Sequence, residues 1–168
     1  DGVAWAVAEG LASSDRVAMF GWSYGGYAAL VAASRTPQIY QCVIAGAAVS
    51  DPEMQVNYYR YRLRGRSKVE QLRMWDDSVA PINEVEQVNV PILLIHGTVD
   101  QRVPLDHARK YRRALLRAEK DHSYLELKGA DHFSNTLFFD HKLSLYASII
   151  DYLSDDCGIG TVTSVAVR

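Results

Sequence analysis

The segment Gly21-Trp22-Ser23-Tyr24-Gly25 matches G-x-S-x-G, a spacing that suits a serine to nucleophilic attack. Such a serine sits on a tight strand-to-helix turn with unfavourable backbone angles. Side chains at the flanking positions would collide with the strand or the helix, so glycine is expected there. The turn lifts the Ser23 hydroxyl clear of the sheet and aims the Tyr24 backbone N–H, at the helix start, toward a developing oxyanion. A serine hydroxyl is a weak nucleophile until a base takes its proton, and the base needs a carboxylate to orient it.

There are five histidines to choose from. In this strand–turn–helix arrangement the chain order is serine, acid, histidine. His132 lies in Gly129-Ala130-Asp131-His132-Phe133, after the last expected strand and at a carboxyl end, and is the expected base. His107 and His141 fall within expected helices and read as solvated or packed side chains. His122 precedes the last strand, at the wrong end of the sheet. His96 ends the third strand at the correct edge, yet it comes before every acid that could follow that strand, so it reads as a buried, hydrogen-bonded histidine. Asp100 is the first carboxylate beyond the third strand, in His96-Gly97-Thr98-Val99-Asp100, and is the expected acid. Asp106 is already in a helix, Asp131 would point away from a correctly aimed His132, and Asp76 and Asp77 read as surface or cap residues. No H-x-x-x-H, C-x-x-C, G-x-x-x-x-G-K-[ST] or G-x-G-x-x-G pattern occurs, so no metal site and no cofactor is expected.

Alternating helical and strand patterns must position these groups. Val3, Val7 and Leu11 predict a helix over residues 1–11. Val17 to Phe20 predicts a buried strand, and the alanine-rich run from Tyr24 to Arg35, ending before Pro37, a helix. Cys42 to Val49 and Val90 to Ile95 predict two more buried strands. Between them, Asp51 to Asn89 is polar and reads as an insertion with one or two short helices. Pro104 to Glu119 predicts a helix with Leu105, Ala108, Tyr111 and Leu115 on its apolar face, and Ser123 to Leu127 a fourth strand. Phe139, Leu143, Tyr146, Ile150 and Leu153 step at helical spacing, and Ser154 to Arg168 has weak pattern and reads as a loose or edge segment. The fold class is α/β, with a parallel sheet of about four strands and helices on both faces, and sites at the strands' carboxyl ends.

The composition suits this: 48% of residues are hydrophobic and 23% charged, which excludes a disordered or fibrous chain. The net charge of −2 offers no basic face for nucleic acid. The basic stretches Arg60–Lys68 and Arg109–Arg113 read as solvated helix faces. No apolar run is long enough to cross a bilayer, and no signal peptide is visible. Two cysteines, Cys42 and Cys157, are too few for a disulfide framework, and Cys42 reads as a buried thiol. With no signal or membrane-spanning segment visible, the compartment is open, with a lean toward the cytoplasm. The chain starts at Asp1 in mid-pattern, which is expected of a piece of something longer.

Taken together, Gly21-Trp22-Ser23-Tyr24-Gly25-Gly26-Tyr27, Pro91-Ile92-Leu93-Leu94-Ile95-His96-Gly97 with Asp100 and Val103-Pro104, and Asp131-His132-Phe133 resemble the catalytic domain of the prolyl oligopeptidase family of serine peptidases, with its dipeptidyl-peptidase and acylaminoacyl-peptidase branches. The resemblance runs from Asp1 to Leu153. It implies that residues 1–153 are the C-terminal half of an α/β-hydrolase domain, with 154–168 a tail. It implies Ser23 as nucleophile, Asp100 as acid, His132 as base and the Tyr24 N–H as oxyanion donor. Tyr58 and Tyr59 match where the family places aromatic residues of its specificity pocket. The family's N-terminal β-propeller, the first half of its sheet and its second oxyanion donor would lie before Asp1. The expected substrate is a peptide or small acyl compound, and the expected partners are the missing N-terminal part or a second copy. A carboxylesterase with the same triad, or a truncated non-catalytic interaction module, are the alternatives.

Overall fold

A computed structural model describes residues 1–60, 70, 73, 79–132 and 137–159. Its centre is a parallel sheet in the order β1 (Ala18–Trp22), β2 (Cys42–Gly46), β3 (Ile92–Gly97) and β4 (His122–Leu127). Parallel pairing requires each connection to return over a face, and helices lie between successive strands as well as before β1 and after β4. They are α1 (Gly2–Ala8), α2 (Tyr24–Arg35), α3 (Pro52–Tyr59), α4 (Asp106–Arg117) and α5 (Phe139–Asp155). Trp22 pairs with Gly46, Gly46 with Ile95, and Gly97 with Leu127, so the four carboxyl ends finish at one edge.

Strand periodicity divides the core in two. Val43, Ala45, Ile92 and Leu94 face α2 and α4, where Ala29, Leu30, Ala33, Tyr111 and Leu115 close over them. Ile44, Leu93, Ile95 and Leu127 face α5, meeting Leu145 and Tyr152. β2 and β3 are buried along their whole lengths, as continuous apolar runs covered on both faces must be. β1 and β4 are the edges, and Phe20 on β1 is 56% exposed.

Two expectations are corrected here. Cys42 is no thiol: it is disulfide-bonded to Cys157, with 5.3 Å between their Cα atoms. The same alternation that turns Ile44 toward α5 turns Cys42 that way, and α5 ends two residues before Cys157. Helix α5 runs to Asp155 and Cys157 is buried, so the start of the tail is tied down rather than loose. Residues 160–168 lie outside the described residues. The disulfide closes a sequence separation of 115 residues. Replacing both cysteines with serine is expected to lower unfolding free energy by about 2–5 kcal/mol, since the bond restricts the unfolded chain. Denaturant titration checks this; an unchanged midpoint would show that the bond adds no stability.

Candidate active site

Ser23 occupies the turn between β1 and α2 at φ 60°, ψ −118°, a conformation that a side chain rarely adopts. The turn is held from both sides: Ser23 N–H donates to the Gly46 carbonyl at 2.9 Å, and Tyr27 N–H donates back to Ser23 O at 3.0 Å. Close packing makes it possible. A Cβ on Gly21 would lie 2.0 Å from the Gly25 carbonyl oxygen, and one on Gly26 would lie 2.5 Å from the Gly46 oxygen. Gly25 differs from expectation, because a Cβ there meets nothing within 4 Å among the described residues. The close approach belongs to Gly21 and Gly26.

His132 Nε2 lies 2.8 Å from Ser23 Oγ, and its Nδ1 lies 2.7 Å from Asp100 Oδ2. A carboxylate can only accept, so Nδ1 carries the ring hydrogen and Nε2 is the acceptor for the serine hydroxyl. Asp100 and His132 are both buried, at 8% and 4% exposure, whereas Ser23 is only half-buried at the sheet's edge. Burial pushes the Asp100 carboxyl upward. Hydrogen bonds from His132, His96 and the Val103 and Arg102 N–H groups outweigh that and hold it well below the usual carboxylate range. Asp100 Oδ1 accepts from Arg102 N–H at 2.8 Å and from Val103 N–H at 2.9 Å, which leaves Oδ2 toward the imidazole. Tyr24 opens α2, beside Ser23, at the positive end of the helix dipole.

Several groups around this cluster had no motif to announce them. Trp22 Nε1 donates to the His132 carbonyl at 2.7 Å and so fixes the base's backbone. Its ring lies over β2, where a Cβ on Gly46 would come within 2.0 Å of it. The Ala130 carbonyl passes across the end of β3, 2.4 Å from where a Gly97 Cβ would stand. His96 is buried, as expected, and its Nε2–H donates to the Val103 carbonyl at 2.8 Å. It also faces Asp100 Oδ2 at 3.4 Å. Tyr58 and Tyr59 are on α3, their hydroxyls turned to the Gln101 and Arg102 carbonyls. Phe133, Asp76, Asp77 and the basic stretch from residue 61 to 68 fall outside the described residues. Arg109, in the other basic stretch, is paired with Glu126, and Arg112 lies over the Tyr124 ring. Among the described residues no group of His, Cys, Asp and Glu could hold a metal ion, and no helix is long and apolar enough to cross a membrane.

His107 lies on α4, fully buried, with its Nδ1 accepting from the Asp51 N–H at 3.4 Å. Burial, aided by His96, pushes its imidazole down to about 4. The folded chain therefore keeps it neutral while the unfolded chain takes up a proton below about pH 6.5. Its contribution to stability is full above about 6.5 and is lost as pH falls toward 4, a swing of roughly 3 kcal/mol. His107→Leu is expected to lose less stability than the wild type between pH 7 and 5, by urea unfolding at both pH values. Equal losses would contradict the buried neutral state.

The sequence profile described as the prolyl oligopeptidase family matches residues 1–159. The chain is 30% identical over 145 residues to human prolyl endopeptidase FAP, covering 86% of this chain and 19% of that protein. It is 31% identical over 124 residues to bovine dipeptidyl peptidase 4, covering 73% of this chain and 16% of that one. It thus spans about a fifth or less of the curated relatives it matches. Among solved structures, Pyrococcus horikoshii acylaminoacyl peptidase superposes with a TM-score of 0.75 at 19% identity, over 96% of this chain and 27% of that one. A Mycobacterium tuberculosis puromycin-hydrolyzing peptidase gives 0.75 at 21% identity, over 94% of this chain and 24% of that one. At such identities the likeness speaks for the α/β-hydrolase fold. Because the profile match extends over nearly all of the sequence, the chain belongs to the prolyl oligopeptidase family.

Proposed function

We propose that this chain carries the reacting groups of a serine peptidase, which cleaves peptide or related acyl bonds through an acyl-enzyme. The observation that carries the proposal is the Ser23–His132–Asp100 hydrogen-bonded series, at 2.8 and 2.7 Å, with the serine on a strained turn. In this reading His132 Nε2 takes the Ser23 proton as Oγ bonds to the substrate's carbonyl carbon. The Tyr24 N–H steadies the oxyanion, and His132 returns the proton to the leaving amine. Water then repeats the sequence and releases the acid. Asp100 keeps the imidazole in the required tautomer and offsets its charge. Tyr58 and Tyr59 are proposed to line the pocket for the substrate's side chain. Relatives several times longer, together with the place of β1 at the edge of the described sheet, support a further region completing the sheet and supplying a second oxyanion donor; self-association through that edge is the alternative. The buried disulfide favours maturation in an oxidising compartment, against the cytoplasmic lean taken from the lack of a visible signal or membrane-spanning segment.

The test is turnover by the intact protein of a peptidyl p-nitroanilide and of p-nitrophenyl acetate. Release from both supports the peptidase reading. Release from the ester alone supports a carboxylesterase, and release from neither supports a non-catalytic module.

A further inference from the structure

We propose that helix α3 positions the acid of the site, with Gln55, Tyr58 and Tyr59 holding the two peptide groups whose N–H groups grip Asp100. This deepens, and rests on, the Ser23–His132–Asp100 reading above. Two rigid peptide planes carry the connection. In the first, the Gln101 carbonyl accepts from Tyr58 Oη at 2.8 Å, and the Arg102 N–H of the same plane donates to Asp100 Oδ1 at 2.8 Å. In the second, the Arg102 carbonyl accepts from Gln55 Nε2 and from Tyr59 Oη, both at 2.9 Å, and the Val103 N–H donates to Oδ1 at 2.9 Å. A peptide group is planar, so fixing its carbonyl fixes the direction of its N–H. Donation to the carbonyl also polarises the unit and strengthens the N–H as a donor.

The sequence builds this brace economically. Residues 55, 58 and 59 stand at i, i+3 and i+4 and so share one face of the helix. Asp51 starts α3 by accepting from Met54 N–H, with Pro52 in the first turn, and it is paired with Lys110 of α4. Gln55 is buried, an expensive place for an amide that serves no purpose. With Oδ1 saturated from the α3 side, Oδ2 is held toward His132. The tyrosine hydroxyls thus act as positioning groups, while their half-exposed rings remain for substrate.

The experiment compares wild type, Tyr58→Phe/Tyr59→Phe, Asp100→Asn and the triple variant, all in the intact protein. Phenylalanine keeps the rings and removes only the donors. The readouts are kcat and KM for p-nitrophenyl acetate and the rate of labelling by a fluorophosphonate, with thermal unfolding to establish the fold. The double variant is expected to lose about tenfold in kcat at unchanged KM. Added to Asp100→Asn, it is expected to cost nothing further, since both act through one carboxylate. Unchanged kcat in a folded double variant, a raised KM alone, or full additivity with Asp100→Asn would each overturn the proposal. If Asp100→Asn itself leaves kcat intact, the triad reading fails first, and the brace with it. Should the double variant not fold, Tyr58→Phe alone severs one plane and is expected to cost about threefold in kcat; no loss from that folded variant overturns the brace.

Discussion

Replacing His132 with alanine is expected to lower kcat by about four to six orders of magnitude, with the fold retained. The imidazole touches both Ser23 and Asp100, so its removal leaves the hydroxyl without a proton acceptor and the carboxylate without a purpose. Members of such a relay act as a unit, and the loss should approach that of removing all three. His96 is the informative control. It too is buried against Asp100, but its Nε2–H donates to the Val103 carbonyl, while Ser23 Oγ is hydrogen-bonded to His132. His96→Ala should therefore cost far less in kcat than His132→Ala. Steady-state kinetics on p-nitrophenyl acetate, with circular dichroism to confirm folding, decides the matter. Equal damage from both variants would move the base to His96.

The second large effect is steric. Gly21→Ala would place a Cβ 2.0 Å from the Gly25 carbonyl, and that atom is backbone at the start of α2. The turn must open by an ångström or more, and displacement on that scale costs about a hundredfold or more in rate. Overpacking of this kind also lowers stability, by about 1–3 kcal/mol. We expect Gly21→Ala to show both losses together, by turnover and by denaturant unfolding. A variant with wild-type stability and rate would mean that the strained turn is not what presents Ser23.

Much of this architecture was readable from residue order. Helix α2 spans Tyr24–Arg35, the limits marked by the motif and by Pro37, because local signals define both ends. The first three strands follow from apolar runs and the fourth from alternation, and the candidate serine, acid and base from their places after particular strands. The rest depended on facts that are not local. The 4-3-4-3 stripe of α5 announces a helix, but Phe139, Leu143, Tyr146 and Ile150 point outward, each more than half exposed. The inward side is Leu145 and Tyr152, with Ile149 and Leu153. Both sides are apolar, so the period gives the helix and not its face. The Cys42–Cys157 bond needed the knowledge that α5 covers the Cys42 side of β2. The tyrosines of α3 were legible as aromatic residues near the site, whereas their hydroxyl bonds to the acid loop exist only in three dimensions. Trp22 was hidden as the variable position of its own motif, and only the folded loop brings its indole to His132.

The central claim is that Ser23 is an activated nucleophile, and covalent labelling tests it most directly. The intact protein is treated with a fluorophosphonate, digested, and the modified peptide mapped by mass spectrometry, alongside Ser23→Ala. The account predicts one adduct on Ser23, formed in the wild type and absent from the folded Ser23→Ala variant. Labelling that persists in that variant, or a wild type that takes no label while correctly folded, would contradict it.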